Sequence, residues 1–81
     1  MKKSAERYLV KDSGFIMDLA TGHSFTANAT GLVIFRALMD GASATEAVQR
    51  VCREFTVDAE TAQRDVDEFI QELRVFRLHE D

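Results

Sequence analysis

Short apolar runs separated by turn residues open the chain, and longer apolar stretches with helical spacing follow. Runs rich in Leu, Val, Phe and Ile between turn signals predict β-strands. The three predicted strands are residues 7–11 (RYLVK), 15–19 (FIMDL) and 24–27 (SFTA). Connections of only a few residues, each containing a glycine, favour an antiparallel meander with one face to bury. The helix that comes next in the chain is the natural cover for that face.

The stretch 28–41, NATGLVIFRALMDG, predicts the central helix of the fold. Asn28 is a residue type that begins helices, Gly41 is one that ends them, and only Arg36 interrupts the apolar run between them. A helix that is apolar nearly all round is buried on several sides. The run is too short to cross a bilayer, which takes about 20 apolar residues. We therefore expect residues 29–40 to lie between the sheet and two further helices.

Two amphipathic helices are predicted after the central one. Ser43 and Glu46 have the spacing of a capping box at the start of a helix over residues 44–55. Asp58 is the N-cap of a third helix over residues 59–75, and residues 76–79 form either a short terminal strand or a tail that packs back. The order β-β-β-α-α-α predicts an α+β, winged-helix-like fold, a three-stranded antiparallel meander followed by a three-helix bundle. We expect residues 1–6 to be flexible, residues 7–78 to form one domain, and residues 79–81 to be a tail.

The charge of the chain is negative and unevenly placed. Its 81 residues carry a net charge of −4; residues 1–40 hold five Lys/Arg and four Asp/Glu, and residues 41–81 hold five and ten. A winged helix that binds DNA brings Lys and Arg to the phosphates. The third helix carries five acids and two arginines from Ala59 to Arg74, so we expect no nucleic acid ligand. A DNA-binding or transcription-associated domain remains the alternative on topology alone.

Candidate catalytic and metal-binding residues are few. Cys52, the single cysteine, falls on the apolar stripe of the second helix, which is typical of a buried hydrophobe, and His23 and His79 lie far apart in the chain. The acids of the third helix are by default a solvated face. We expect no catalytic residue, no metal and no cofactor. One cysteine and no apolar segment behind Met1-Lys2-Lys3 are consistent with a cytoplasmic protein and predict no membrane anchor.

The third predicted strand is a candidate binding edge. Residues 24–27 are short and contain neither a charge nor a proline, the features that discourage strand pairing. An extended peptide could add to this edge, with backbone hydrogen bonds supplying affinity and side-chain pockets supplying specificity. The acidic helix beside it would favour a peptide with basic residues. The alternative is an edge that is simply short and solvated.

Several short motifs, taken in their order, resemble one family over residues 7–78. The motifs are ATG, NATG before an apolar helix, MDG with a following Ser, FTVD, and RDVDEFIQEL. This pattern resembles the PqqD family, the small proteins of pyrroloquinoline quinone biosynthesis and their relatives. The resemblance is carried by Thr21, Gly22, Asn28, Thr30, Gly31, Asp40, Gly41, Asp58, Asp65, Val66, Phe69 and Leu73.

The resemblance implies a winged-helix-like, non-catalytic module that recognises the leader of a ribosomally made precursor peptide. Such a module presents the leader to a modifying enzyme, often of the radical SAM type. The leader would add as a strand beside the third strand and lie against the third helix. The peptide-binding residues that the resemblance implies are Ser24, Phe25, Thr26, Asp65, Glu68, Phe69 and Glu72.

Overall fold

A computed structural model describes residues 7–78 and shows three strands followed by three helices. This order confirms the predicted α+β fold with a meander ahead of a helical bundle. The elements are β1 (Tyr8–Val10), β2 (Phe15–Asp18), β3 (Ser24–Thr26), α1 (Ala29–Met39), α2 (Ala44–Phe55) and α3 (Ala59–Leu78). The predicted flexible start and the predicted tail lie outside the described residues.

The three strands form one antiparallel sheet in the order β1-β2-β3. β2 is central, with Leu9 of β1 opposite Met17 and Phe25 of β3 opposite Ile16. Successive side chains point to opposite faces of a strand. Ile16 is fully buried against the helices, whereas Leu9 is exposed on the outer face. β3 pairs with β2 alone among residues 7–78, so it is an edge strand. Phe25 lies opposite Ile16 and therefore on the face of the sheet that packs on the helices.

α1 lies at the centre of the core, as its apolar sequence predicts. Phe35 is fully buried and meets three rings from other elements at near-perpendicular angles. The distances between ring centroids are 5.2 Å to Tyr8 of β1, 6.3 Å to Phe25 of β3 and 6.3 Å to Phe69 of α3. Edge-to-face pairs of this kind stabilise a core beyond the area that they bury. One side chain thus joins the sheet to the last helix.

The predicted starts of the helices are confirmed by their caps. The Asn28 side chain accepts a hydrogen bond from the Gly31 N–H at 2.8 Å, and Ser43 forms a capping box with Glu46. The Asp58 carboxylate accepts from the Thr61 N–H at 2.8 Å. That backbone hydrogen bond lowers the pKa of Asp58 below its ordinary value because it stabilises the charged form.

The end of the last helix differs from the prediction. Residues 76–78 continue α3 as far as Leu78, so the predicted terminal strand or tail is wrong for them, and His79 lies outside the described residues. Phe76 follows Leu73 and Phe69 at helical spacing and packs on Phe25. Continuing the helix therefore places the Phe76 ring against β3.

The remaining boundaries differ by a residue or two. α1 ends at Met39, because Asp40 serves as its C-cap and donates its N–H to the Arg36 carbonyl at 3.0 Å. Each strand is shorter than predicted; Lys11 donates its N–H to the Phe15 carbonyl across the turn between β1 and β2, and Ala27 donates to the carbonyl of Gly14 in that same turn. Sheet pairing thus stops where the chain begins to turn.

Candidate functional site

Two hydrogen bonds flank the pairing of β3 with β2, and they show which backbone groups of β3 point away from β2. The Ala27 N–H donates to the Gly14 carbonyl at 2.9 Å, and the Asp18 N–H donates to the His23 carbonyl at 2.8 Å. In an antiparallel pair, hydrogen-bonded and non-hydrogen-bonded positions alternate. Phe25 lies midway between these two bonds and therefore occupies a hydrogen-bonded position toward β2.

Ser24 and Thr26 occupy the alternate positions and direct their backbone groups away from the sheet. Each offers one N–H and one C=O at the open edge. β3 pairs with β2 alone among residues 7–78, and both side chains are exposed. β3 contains no charge and no proline, so nothing in this strand discourages pairing with a further strand. The edge can take up to four backbone hydrogen bonds from an extended peptide.

Phe25 turns its side chain from the same strand toward α3. Its ring lies 4.7 Å from the ring of Phe76 and 6.5 Å from that of Phe69, centroid to centroid. It remains partly exposed, unlike Phe35 behind it. The ring therefore forms a wall that faces both the core and the space beside the edge.

An apolar cavity of about 210 Å³ lies between β3 and α3. Three phenylalanines and a leucine make up most of its wall, which suits an aliphatic or aromatic side chain. We call it the apolar subsite, and its lining residues are Phe25, Thr26, Phe69, Glu72, Leu73 and Phe76.

A second cavity of about 140 Å³ adjoins the first, where the start of α1 faces α3. Phe69 and Glu72 line both cavities, so the two cavities adjoin along α3, and together we call them the groove. We call the second cavity the acidic subsite, and its lining residues are Asn28, Thr30, Gly31, Ile34, Asp65, Glu68, Phe69 and Glu72.

Three carboxylates give this part of the groove its charge. Asp65 is half-buried, and Glu68 and Glu72 are exposed. Within residues 7–78, none of the three forms an ion pair or a side-chain hydrogen bond. Their negative charge is therefore available to a cationic group that enters the groove.

The residues that the sequence singled out for peptide binding are brought together at this groove. Six of the seven line it: Phe25, Thr26, Asp65, Glu68, Phe69 and Glu72. Ser24 lines neither cavity, but its backbone belongs to the open edge. Phe25 and Phe69 are shared between the groove and the core. The part that these residues play in binding a peptide stays a prediction.

Sequence reasoning missed the contributions of α1 and of the end of α3. Thr30, Gly31 and Ile34 line the acidic subsite, and Leu73 and Phe76 line the apolar one. Leu73 and Phe76 follow Phe69 in the sequence at helical spacing, but this spacing does not tell which side chains face an opening. That depends on how α3 lies against β3.

A buried ion pair supports the turn that leads into β3, and it too was missed. The fully buried carboxylate of Asp18 accepts two hydrogen bonds from the Arg7 guanidinium, at 2.9 and 2.7 Å, and one from the Ala20 N–H at 2.9 Å. The available signal was the position of Asp18, two residues after Ile16 and hence on the buried face of β2.

His23 and Cys52, considered above as candidate catalytic or metal-binding residues, line neither subsite. His23 is exposed and directly precedes β3, with its ring centroid 6.3 Å from that of Phe76. Cys52 is half-buried and packs against the core. In the part of the chain that the structure describes, no three His, Cys, Asp or Glu side chains are grouped to hold a metal ion. Over the same residues, no helix has the length and apolar character needed to span a membrane.

Residues 14–78 match the family model described as coenzyme PQQ synthesis protein D (PqqD). The matched region includes β2, β3 and all three helices, and therefore the whole groove. A comparison with curated proteins gave no match.

Two solved structures share the fold. The chain is 30% identical to TbiB1 in complex with the TbiA(beta) leader peptide, with a TM-score of 0.75 over 88% of this chain and 84% of that one. It is 26% identical to lasso peptide synthetase B1 complexed with the leader peptide, with a TM-score of 0.68 over 83% of this chain and 80% of that one. Both similar proteins were thus solved with a leader peptide bound.

Proposed function

Because this chain belongs to the PqqD family, we propose that it binds the leader of a ribosomally synthesised precursor peptide along the groove between β3 and α3. The leader adds to β3 as a fourth strand. Its backbone forms hydrogen bonds with Ser24 and Thr26, and every second side chain enters the groove. The observation that carries this proposal is an open, uncharged strand edge directly beside a groove.

The dimensions of the groove support an extended ligand. The two subsites adjoin along α3 and together extend past the end of β3 to the start of α1. A strand that pairs with β3 has α3 on its inner side, so backbone and side chains are bound at the same time. The leader-peptide complexes of the two similar proteins support the same class of ligand.

The protein acts as a non-catalytic adaptor in this proposal. It holds the leader while a separate modifying enzyme, of the radical SAM type as in PqqD-related pathways, acts on the rest of the precursor. A cytoplasmic location suits such a step. The DNA-binding alternative is not retained, because the α3 side of the groove presents three carboxylates where phosphate binding needs cations.

The test is an NMR titration with the synthetic leader of the precursor peptide encoded beside the gene for this chain. We expect saturable shifts of the backbone amides in Ser24–Thr26 and of α3 signals around Phe69. No shift in either region at millimolar leader would contradict the proposal.

Two variants of Thr26 show whether the strand edge itself is used. Thr26→Pro removes an N–H that points away from β2, so the sheet keeps its own hydrogen bonds. We expect it to weaken leader binding at least about tenfold, since the peptide loses a backbone partner and its own carbonyl is left unsatisfied. The matched control Thr26→Val keeps the backbone N–H and should bind nearly as wild type does.

A further inference from the structure

The two subsites of the groove are displaced from each other by one helical turn of α3. The α3 residues of the acidic subsite are Asp65, Glu68, Phe69 and Glu72, and those of the apolar subsite are Phe69, Glu72, Leu73 and Phe76. Each member of the second set comes four positions after a member of the first. Four residues of α-helix rise about 6 Å.

This displacement matches the spacing of side chains on one face of a strand. Residues two apart on a strand point to the same side and lie about 6.8 Å apart. A peptide paired with β3 therefore places side chain i in one subsite and side chain i+2 in the other. The side chain between them points to the outer face of the sheet.

The sheet favours a peptide that runs antiparallel to β3. All pairings within it are antiparallel, and antiparallel pairing is slightly more stable per residue than parallel pairing. The acidic subsite lies beyond the C-terminal end of β3, where Asn28 begins α1. An antiparallel peptide reaches this subsite with the earlier of its two inward-facing residues.

The two subsites differ in chemistry. The apolar subsite has three phenylalanine rings in its wall. The acidic subsite has three carboxylates without ionic partners among residues 7–78, and the Phe69 ring also lines it. A lysine or arginine suits it, because the methylene stem can lie on the ring while the cationic head reaches the carboxylates.

We infer that the peptide recognised by this groove carries a basic residue two positions before an aliphatic or aromatic residue, in the order basic-x-apolar. This inference rests on the proposed function and adds to it the identity and spacing of two recognised side chains. Asp65 and Glu68 line the acidic subsite and not the apolar one, and Glu68 is the more exposed of the two. We therefore assign the preference for a cation to Glu68.

The experiment is a selection of random dodecapeptides, displayed on phage, against the immobilised full chain. Among enriched peptides we expect Lys or Arg two positions before Leu, Ile, Val, Met or Phe. Replacing that basic residue by Thr in a fluorescein-labelled selected peptide should weaken binding about fivefold, the effect of a partly exposed ion pair. Enriched peptides that lack this basic residue, or that place it at another spacing or after the apolar residue, would overturn the inference.

A charge reversal with a matched control assigns the preference to the groove. Selection against Glu68→Lys should lower the frequency of the basic residue and leave the apolar residue enriched. Asp67→Lys makes the same change on the neighbouring residue, which is exposed and lines neither subsite, and it should leave the selected motif unchanged. Both variants are checked for wild-type circular dichroism. Equal effects of the two reversals would refute a role for Glu68.

A Thr26→Pro variant separates failure of this inference from failure of the proposed function. If peptides with another motif are enriched and Thr26→Pro weakens their binding at least about tenfold, the β3 edge binds peptides and only the inferred motif is wrong. If nothing is enriched, or if Thr26→Pro leaves binding unchanged, the proposed function and this inference fail together.

Discussion

The ring of Phe25 on β3 and the ring of Phe76 near the end of α3 pack edge to face, with centroids 4.7 Å apart and planes at 63°. This contact joins the open strand edge to the helix across the groove. It exists because α3 continues through residue 78, beyond the point where a tail was predicted. The width of the apolar subsite therefore depends on the last turns of α3.

Shortening Phe76 should weaken binding while leaving the domain folded. Phe76→Ala removes one wall of the apolar subsite, so we expect leader affinity to fall about tenfold, measured by fluorescence anisotropy. The ring is only half-buried, so the stability lost should be about 1–2 kcal/mol, less than the 3–5 kcal/mol of a fully buried phenylalanine. Val75→Ala is the matched control, since Val75 is 57% exposed and lines neither subsite. Equal losses of affinity in both variants would contradict the assignment.

The ion pair between Arg7 and Asp18 should contribute more to the free energy of unfolding than the exposed ion pair between Arg36 and Asp12 does. Arg7→Ala leaves a carboxylate that is fully buried without its guanidinium, and breaking such a pair costs about 3–5 kcal/mol. Arg7 is 31% exposed, so water can partly replace it, and we expect a loss of about 2–3 kcal/mol in urea unfolding. Arg36→Ala breaks an exposed pair with Asp12 and should cost less than about 1 kcal/mol. A similar cost for both substitutions would show that the Arg7 pair adds little.

Gly14 and Gly22 both have a positive φ, but replacing each of them by alanine should cost different amounts of stability. Gly14 has φ +102°, and a Cβ there would lie 2.1 Å from the Ala27 carbonyl oxygen, where β3 ends. Gly22 has φ +83° and open space around it. Gly22→Ala should therefore cost only the left-handed strain, about 1–2 kcal/mol, whereas Gly14→Ala should cost about 3 kcal/mol or more. Thermal unfolding of both variants checks this order, and a smaller cost at Gly14 would refute the close approach.

The elements of the fold could be predicted because their signals are local. Asn28, Ser43 and Asp58 begin helices through hydrogen bonds to residues three positions later, and such bonds depend only on the nearby chain. The end of α3 was mispredicted because it depends on a long-range contact. Phe76 continues the helix to reach Phe25, and no pattern within residues 76–79 announces that partner.

The groove was predictable in part for the same reason. The edge strand and the acids of α3 are visible in the sequence, and the structure places them side by side. The displacement of the two subsites by one turn of α3 was not predictable, since it depends on how α3 lies against β3. Asp18 was missed because an acid inside an apolar strand has no visible partner until Arg7 is brought to it across the sheet.

Amide hydrogen exchange at the edge of β3 tests the central claim most directly. The amides of Ser24 and Thr26 face away from β2, whereas that of Phe25 faces β2. When a leader peptide saturates the protein, we predict that exchange of the Ser24 and Thr26 amides slows at least about tenfold, since each gains a hydrogen bond. The Phe25 amide should change much less. Unchanged exchange at Ser24 and Thr26 with the peptide bound would contradict strand addition at this edge.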